Sequence, residues 1–174
     1  MLRRGAVGLA IVAAAGAVAV AAGAAGNAVS ASGAHGTAKT CPVTLPNGQP
    51  PPAAALTALP PVPPAWDGNG KLWVKLWPHG VMVATKATTA PNGSFGFKIP
   101  WWRATTGTLT VTSTRLDARS RAVPGDVPDG YGSTGFQVSG VSFTTQGCWS
   151  VTGRVGKTSL SFVTLVVTAA GNGY

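Results

Sequence analysis

Acid is the scarcest chemistry in this 174-residue chain, which has four aspartates and no glutamate against 13 lysines and arginines. So few carboxylates leave little material for paired-carboxylate catalysis or for an oxygen-rich calcium loop. Two acids stand close together only in Asp126-Val127-Pro128-Asp129-Gly130, which lacks the ligand density of an EF-hand-type loop. A weak calcium site completed by backbone carbonyls stays open there. Histidine is rarer still: His35 lies far upstream, and His79 sits in a Pro-His-Gly turn, where exposure to solvent is the ordinary outcome. Two histidines and two methionines, so scattered, do not suggest copper. No glycine-rich stretch has the strand-to-helix setting or the lysine of a phosphate-binding loop. The sequence therefore predicts no catalytic, cofactor-binding or metal-binding residue. A hydrolase or metal protein survives only as an alternative that would require His79 to converge with Asp126 or Asp129.

Cysteine is equally sparse, with Cys41 and Cys148 alone. Two isolated cysteines do not make a zinc site, so the choice lies between one disulfide, two free thiols and an intermolecular bridge. The compartment bears on that choice. Long apolar runs are confined to one place: after Arg3 and Arg4, residues from Ala6 to Ala25 carry no charge, and Val29-Ser30-Ala31 offers a small-x-small cleavage pattern. This is the layout of an export signal at 1–31, cut after Ala31 or, as a second choice, after Ala34. An uncleaved anchor is the alternative, since about 20 apolar residues can span a bilayer. The run is mostly alanine and glycine, however, and weakly hydrophobic for a permanent span. An oxidising destination, secreted or cell-wall-associated, favours the Cys41–Cys148 disulfide, which would restrict the unfolded chain by about 4–5 kcal/mol.

Helix-forming stretches are lacking too. Residues 32–65 hold nine prolines from Pro42 to Pro64, which favour an extended, tether-like path; Ala53 to Leu59 could form a turn or two of helix. A folded domain is expected over 66–168, followed by a disordered tail at 169–174. Alternating apolar and polar residues mark strands at 71–77, 81–86, 94–100, 108–115, 136–143, 147–155 and 158–167. Val81 onward reads as the hairpin partner of Leu72-Trp73-Val74, across the Pro78-His79-Gly80 turn. Residues 118–135 read as a long loop. About seven short strands in roughly 100 residues point to an all-β, immunoglobulin-like antiparallel β-sandwich, with a small barrel as the alternative.

The same stretches carry a resemblance. Asp129-Gly130-Tyr131-Gly132, Thr134-Gly135-Phe136-Gln137, Gly140, Phe143, Thr145, Gly147-Cys148-Trp149 and Val151-Thr152-Gly153-Arg154-Val155-Gly156 resemble a group of exported proteins found mainly in Actinobacteria, whose activity is uncharacterised. The similarity runs from about Asn69 to Val167 and includes Leu72-Trp73-Val74 and Pro100-Trp101-Trp102-Arg103. A proline often stands in that group where this chain has Val138, and acids at the positions of Ser150 and Lys157. The resemblance implies export and an immunoglobulin-like domain, without an activity.

What the chain does have is tryptophan and positive charge. Removing Arg3 and Arg4 leaves eleven basic residues against four acids, a formal +7. For an exported protein the anionic partners within reach are a cell-wall polymer, an acidic glycan, lipid headgroups or another surface protein rather than nucleic acid; the membrane enters only through an uncleaved signal segment. The alternative is that a basic surface only keeps a small domain soluble. If Leu72, Val74 and Leu76 face the core, then Trp73, Lys75 and Trp77 share the outer face and offer aromatic surface to a sugar or peptide. Trp101, Trp102 and Arg103 form a second candidate, of which only one tryptophan can face outward. The alternative reading places these tryptophans over the core. The expected function is a non-catalytic binding or structural module, with a carbohydrate-binding module as the alternative.

Overall fold

The computed structural model describes residues 40–58 and 66–169, all within one compact unit. The expected export signal at 1–31, residues 32–39 of the expected tether, and residues 59–65 and 170–174 lie outside the described residues. A short helix α1 (Ala53–Thr57) precedes nine strands: β1 (Trp66–Gly68), β2 (Leu72–Lys75), β3 (Val81–Ala84), β4 (Phe95–Arg103), β5 (Leu109–Arg115), β6 (Val123–Pro124), β7 (Gly135–Phe143), β8 (Gly147–Val155) and β9 (Thr158–Thr168). They form two sheets, in the orders β1-β2-β4-β7 and β3-β9-β8-β5-β6. The seven expected strands are all present. β1 and the two-residue β6 are added from stretches that read as turn and loop. Two separate sheets packed on one core make a sandwich and rule out the barrel.

The alternation in the sequence becomes the core. Phe95, Phe97, Ile99 and Trp101 on β4 meet Trp149, Val151 and Val155 on β8, with Phe162 and Val166 on β9. Ring pairs cross between the sheets: Trp101 with Phe162 at 6.2 Å and Phe143 with Trp149 at 5.3 Å. Gly153 is the gap into which the Trp101 ring fits, since a Cβ there would lie 2.6 Å from the ring. Trp101 is locked from its other side as well, its Nε1–H donating to Ser139 Oγ at 3.0 Å.

β3 does not pair with β2. It lies parallel to β9, with Val81 opposite Leu165 and Ala84 opposite Thr168, so the chain changes sheets at Pro78-His79-Gly80. His79 and Gly80 both take positive φ, 55° and 68°, which turns the chain out of the first sheet instead of folding it back as a hairpin. Thr164 Oγ1–H donates to Gly80 O at 2.9 Å and pins the crossing in the interior. Gly80 also has no room for a side chain, because a Cβ would sit 2.6 Å from that of Val43.

Val43 belongs to the segment expected to be a tether, and that segment is stitched down. Cys41 is bonded to Cys148, with 5.4 Å between their Cα atoms. Thr44 N–H donates to Val163 O at 2.9 Å, and Val163 N–H donates to Thr44 Oγ1 at 2.8 Å. Thr44 thus occupies the edge of β9 just before β3 takes it over. Asn47 Nδ2–H donates to Gly68 O at 2.6 Å. At the other end of the described residues, Ala169, the first residue of the expected tail, donates its N–H to Ala84 O at 3.0 Å.

The Cys41–Cys148 bond makes a clasp between the upstream segment and β8, and Asp117 closes it from the side. Its Oδ2 accepts the Cys148 N–H at 3.1 Å and its Oδ1 pairs with Arg115 Nε at 2.5 Å. The bond from Arg115, and then that from Cys148, hold the Asp117 carboxyl below the usual carboxylate range. A carboxyl depressed in the folded state contributes stability that is full above its unfolded pKa, about 3.9, and lost as pH falls through that value towards the folded one. Asp67 works in the opposite sense, because burial raises its carboxyl, so protonating it favours the fold. Acid unfolding of Asp117→Asn is therefore expected to lose this part of its pH dependence below about pH 4. Chemical denaturation at pH 3 and pH 6 tests it: an unchanged difference between the two pH values would show that Asp117 does not hold the clasp.

Candidate functional site

The outer face of the first sheet is where Trp73, Lys75 and Trp77 were expected to stand together. Register places Trp73 opposite Trp102, and Trp102 opposite Phe136, in one row across β2, β4 and β7. Trp73 does face outward, but it is only 5% exposed. Its ring lies against Gly68, where a Cβ would overlap the indole. Trp66 is buried nearby on β1, and neither ring belongs to the sandwich core, so the outer side of the β1–β2 edge carries cover of its own. The upstream segment reaches this edge through Asn47, which is bonded to Gly68 on β1, and its Pro51 and Ala55 are themselves buried. Trp73 is thus withdrawn as a ligand platform.

Trp101 is withdrawn for a simpler reason: it is fully buried in the core. Arg103 is also not on the outer surface. It pairs with Leu72, whose side chain faces inward, and is 2% exposed. Trp102 points outward and is half-buried, as required of adjacent residues on one strand. Trp77 lies beyond the end of β2, free of strand geometry, and packs edge-on against Phe97 at 6.0 Å.

The rest of the Trp77 ring lines an open depression of about 250 Å³ with Lys75, Leu76, Pro78, Lys98 and Pro100. The antiparallel register of β2 and β4 creates it. Val74 stands opposite Trp101, so one step further along β2 brings Lys75 towards Pro100, while Trp77, past the end of the strand, packs against the core and also lines the depression. Two lysines on neighbouring strands thus share one depression with an indole, two prolines and a leucine. No acid lines the depression, and the one ion pair among the described residues, Arg115–Asp117, is elsewhere. A ring stacked on Trp77 would have the two ammonium groups of the depression to meet negative charge on its substituents.

The acids read as catalytic alternatives do not assemble here. Asp126 bridges its backbone to Gly140 at the edge of β7, Asp129 lines a different cavity, and His79 belongs to the crossing between sheets. Among the described residues no three His, Cys, Asp or Glu side chains cluster as a metal site would. Sequence reasoning named Trp77 and Lys75 but not Lys98, Pro78 or Pro100 as their neighbours. The signal for Lys98 was its outward position between Phe97 and Ile99; its approach to Trp77 depends on which strands pair.

No protein-family model matches the chain, and neither a curated protein nor a solved structure matches it significantly.

Proposed function

We propose that this chain is an exported, non-catalytic immunoglobulin-like module that docks on an anionic polymer of the cell surface through Lys75, Trp77 and Lys98. Export is supported by the leading apolar run and by a disulfide that persists only where the surroundings are oxidising. The immunoglobulin-like reading rests on strand order: β4 pairs with β7 in one sheet, β5-β8-β9 run side by side in the other, and β3 joins parallel to the last strand. The observation that carries the binding reading is the pair of lysines without acid neighbours beside a half-exposed indole. The aromatic platform of a carbohydrate-binding module reduces, with Trp73 covered, to Trp77 assisted by charge.

Retention on purified cell wall is the test. Replacing both Lys75 and Lys98 with alanine is expected to weaken binding by about tenfold or more, since each charge-assisted contact contributes about 1 kcal/mol or more. Stability should stay within about 0.5 kcal/mol of the parent, because both ammonium groups are at the surface. Binding should also fall as salt is raised. Undiminished retention of the double variant would remove the lysines from the interface. Retention that survives extraction of the wall's anionic polymers would point to a surface protein as the partner.

A further inference from the structure

One end of the sandwich holds a second cavity, of about 340 Å³, whose inner wall is Arg103 and Gln137. Arg103 pairs with Gly135 and Trp101 with Gln137, so the two long side chains are diagonal neighbours on the inner face of β4 and β7. The remaining wall is loop: Gly107 and Thr108 before β5, and residues 127–133 before β7. Both polar side chains are buried, at 2% and 6% exposed, and both are only partly satisfied. Arg103 Nη1–H donates to Gly107 O at 2.8 Å, and Nη2–H donates to Gly132 O and, at 3.5 Å, to Thr134 O, while Nε–H has no acceptor. Gln137 Nε2–H donates to Pro128 O at 3.3 Å, while Oε1 receives no bond.

A buried guanidinium is costly unless a counter-ion accompanies it. Here no carboxylate pairs with Arg103 among the described residues, and loop carbonyls alone hold it. Burial accordingly pulls its pKa down. A carboxylate that took the place of the Gly132 and Thr134 carbonyls would exchange neutral acceptors for charged ones, which bind about twice as strongly and match the guanidinium fork. Residues 128–134 of the loop are exposed, so its carbonyls can exchange Arg103 for water when a carboxylate takes their place. Gln137 Oε1 then requires a donor close to that carboxylate. Asp129, also in the wall, disfavours a second negative charge.

We propose that this cavity binds a singly charged carboxylate bearing an N–H or O–H on its α-carbon, as in the C-terminal residue of a peptide or a 2-hydroxy acid, with the carboxylate on Arg103 and the donor on Gln137 Oε1. The test is an NMR titration of the intact chain with N-acetyl-alanine and with lactate, which separate the two sources. N-acetyl-alanine methylamide, lacking the carboxylate, and acetate, lacking the donor, are the controls. Saturable shifts around Arg103 and Gln137 are expected for at least one of the two ligands, with the controls about tenfold weaker or more. Gln137→Glu supplies an internal counter-ion to Arg103 and should abolish binding while raising the melting temperature. Gln137→Leu keeps the charge but removes the acceptor, and should reduce the ligand to the affinity of acetate. The Lys75→Ala/Lys98→Ala protein should bind as the parent does. Absence of saturable shifts up to about 50 mM, a range that covers even weak sites, would show that the two idle atoms meet only water and would overturn the proposal. So would equal binding of the methylamide, undiminished affinity in either Gln137 variant, or its loss in the lysine variant.

Discussion

Replacing Cys41 and Cys148 with serine should lower the unfolding free energy by about 4–5 kcal/mol, the largest single effect expected for this chain. The bond joins positions 107 residues apart, so it removes the closure entropy of nearly the whole domain from the unfolded state. Small domains have total stabilities of about 5–15 kcal/mol, so the serine protein should be marginal at physiological temperature. The folded state should nonetheless look the same in the core, because Trp101, Trp149 and Phe162 owe nothing to Cys41. The local loss should appear where the upstream segment is stitched on. Hydrogen exchange of the Val163 amide, which donates to Thr44 Oγ1, should quicken in the serine protein more than that of the β5–β8 ladder. Denaturant unfolding with and without reductant measures the first effect. A difference below about 1 kcal/mol would mean that the unfolded chain was already compact, or that the hydrogen bonds of Thr44 and Asn47 close the loop unaided.

The second large effect concerns one tryptophan and one glycine. Trp101→Leu should cost about 3 kcal/mol, by leaving a cavity between the sheets and stranding the Ser139 hydroxyl. Gly153→Ala should cost about 2 kcal/mol, since the new methyl group would meet a ring that is fully buried and hydrogen-bonded and so has nowhere to go. The two costs should not add. Leucine at 101 makes room for alanine at 153, so the double variant should be more stable than the sum implies by at least about 1 kcal/mol. Additivity in a double-mutant cycle would refute the lock between the sheets.

How far the sequence could be read differs from feature to feature. The clean alternation of Leu109, Val111 and the intervening threonines, and of Trp149, Val151 and Val155, needed only local information, because a strand half-buried in a sheet exposes every second residue. Cys41 and Cys148 were paired from their number and the expected compartment. The candidate site was legible only in part. Trp77 and Lys75 stood out as aromatic and basic, but Trp73 stood out equally and proved covered, because burial of an outward residue depends on what chain is laid over it.

By itself, then, the sequence determined the positions of seven of the nine strands, the inward faces of those with clean alternation and the pairing of the cysteines. Each follows from side-chain alternation, backbone propensity or counting. Only the tertiary structure decided that β3 joins β9 rather than β2, that Thr44 and Asn47 bind the upstream segment to the sheets, and that Lys98 comes beside Trp77. It alone set Arg103 next to Gln137 in the interior. These are pairings between residues distant in sequence, and they are chosen by the packing of both sheets at once, which no local pattern encodes.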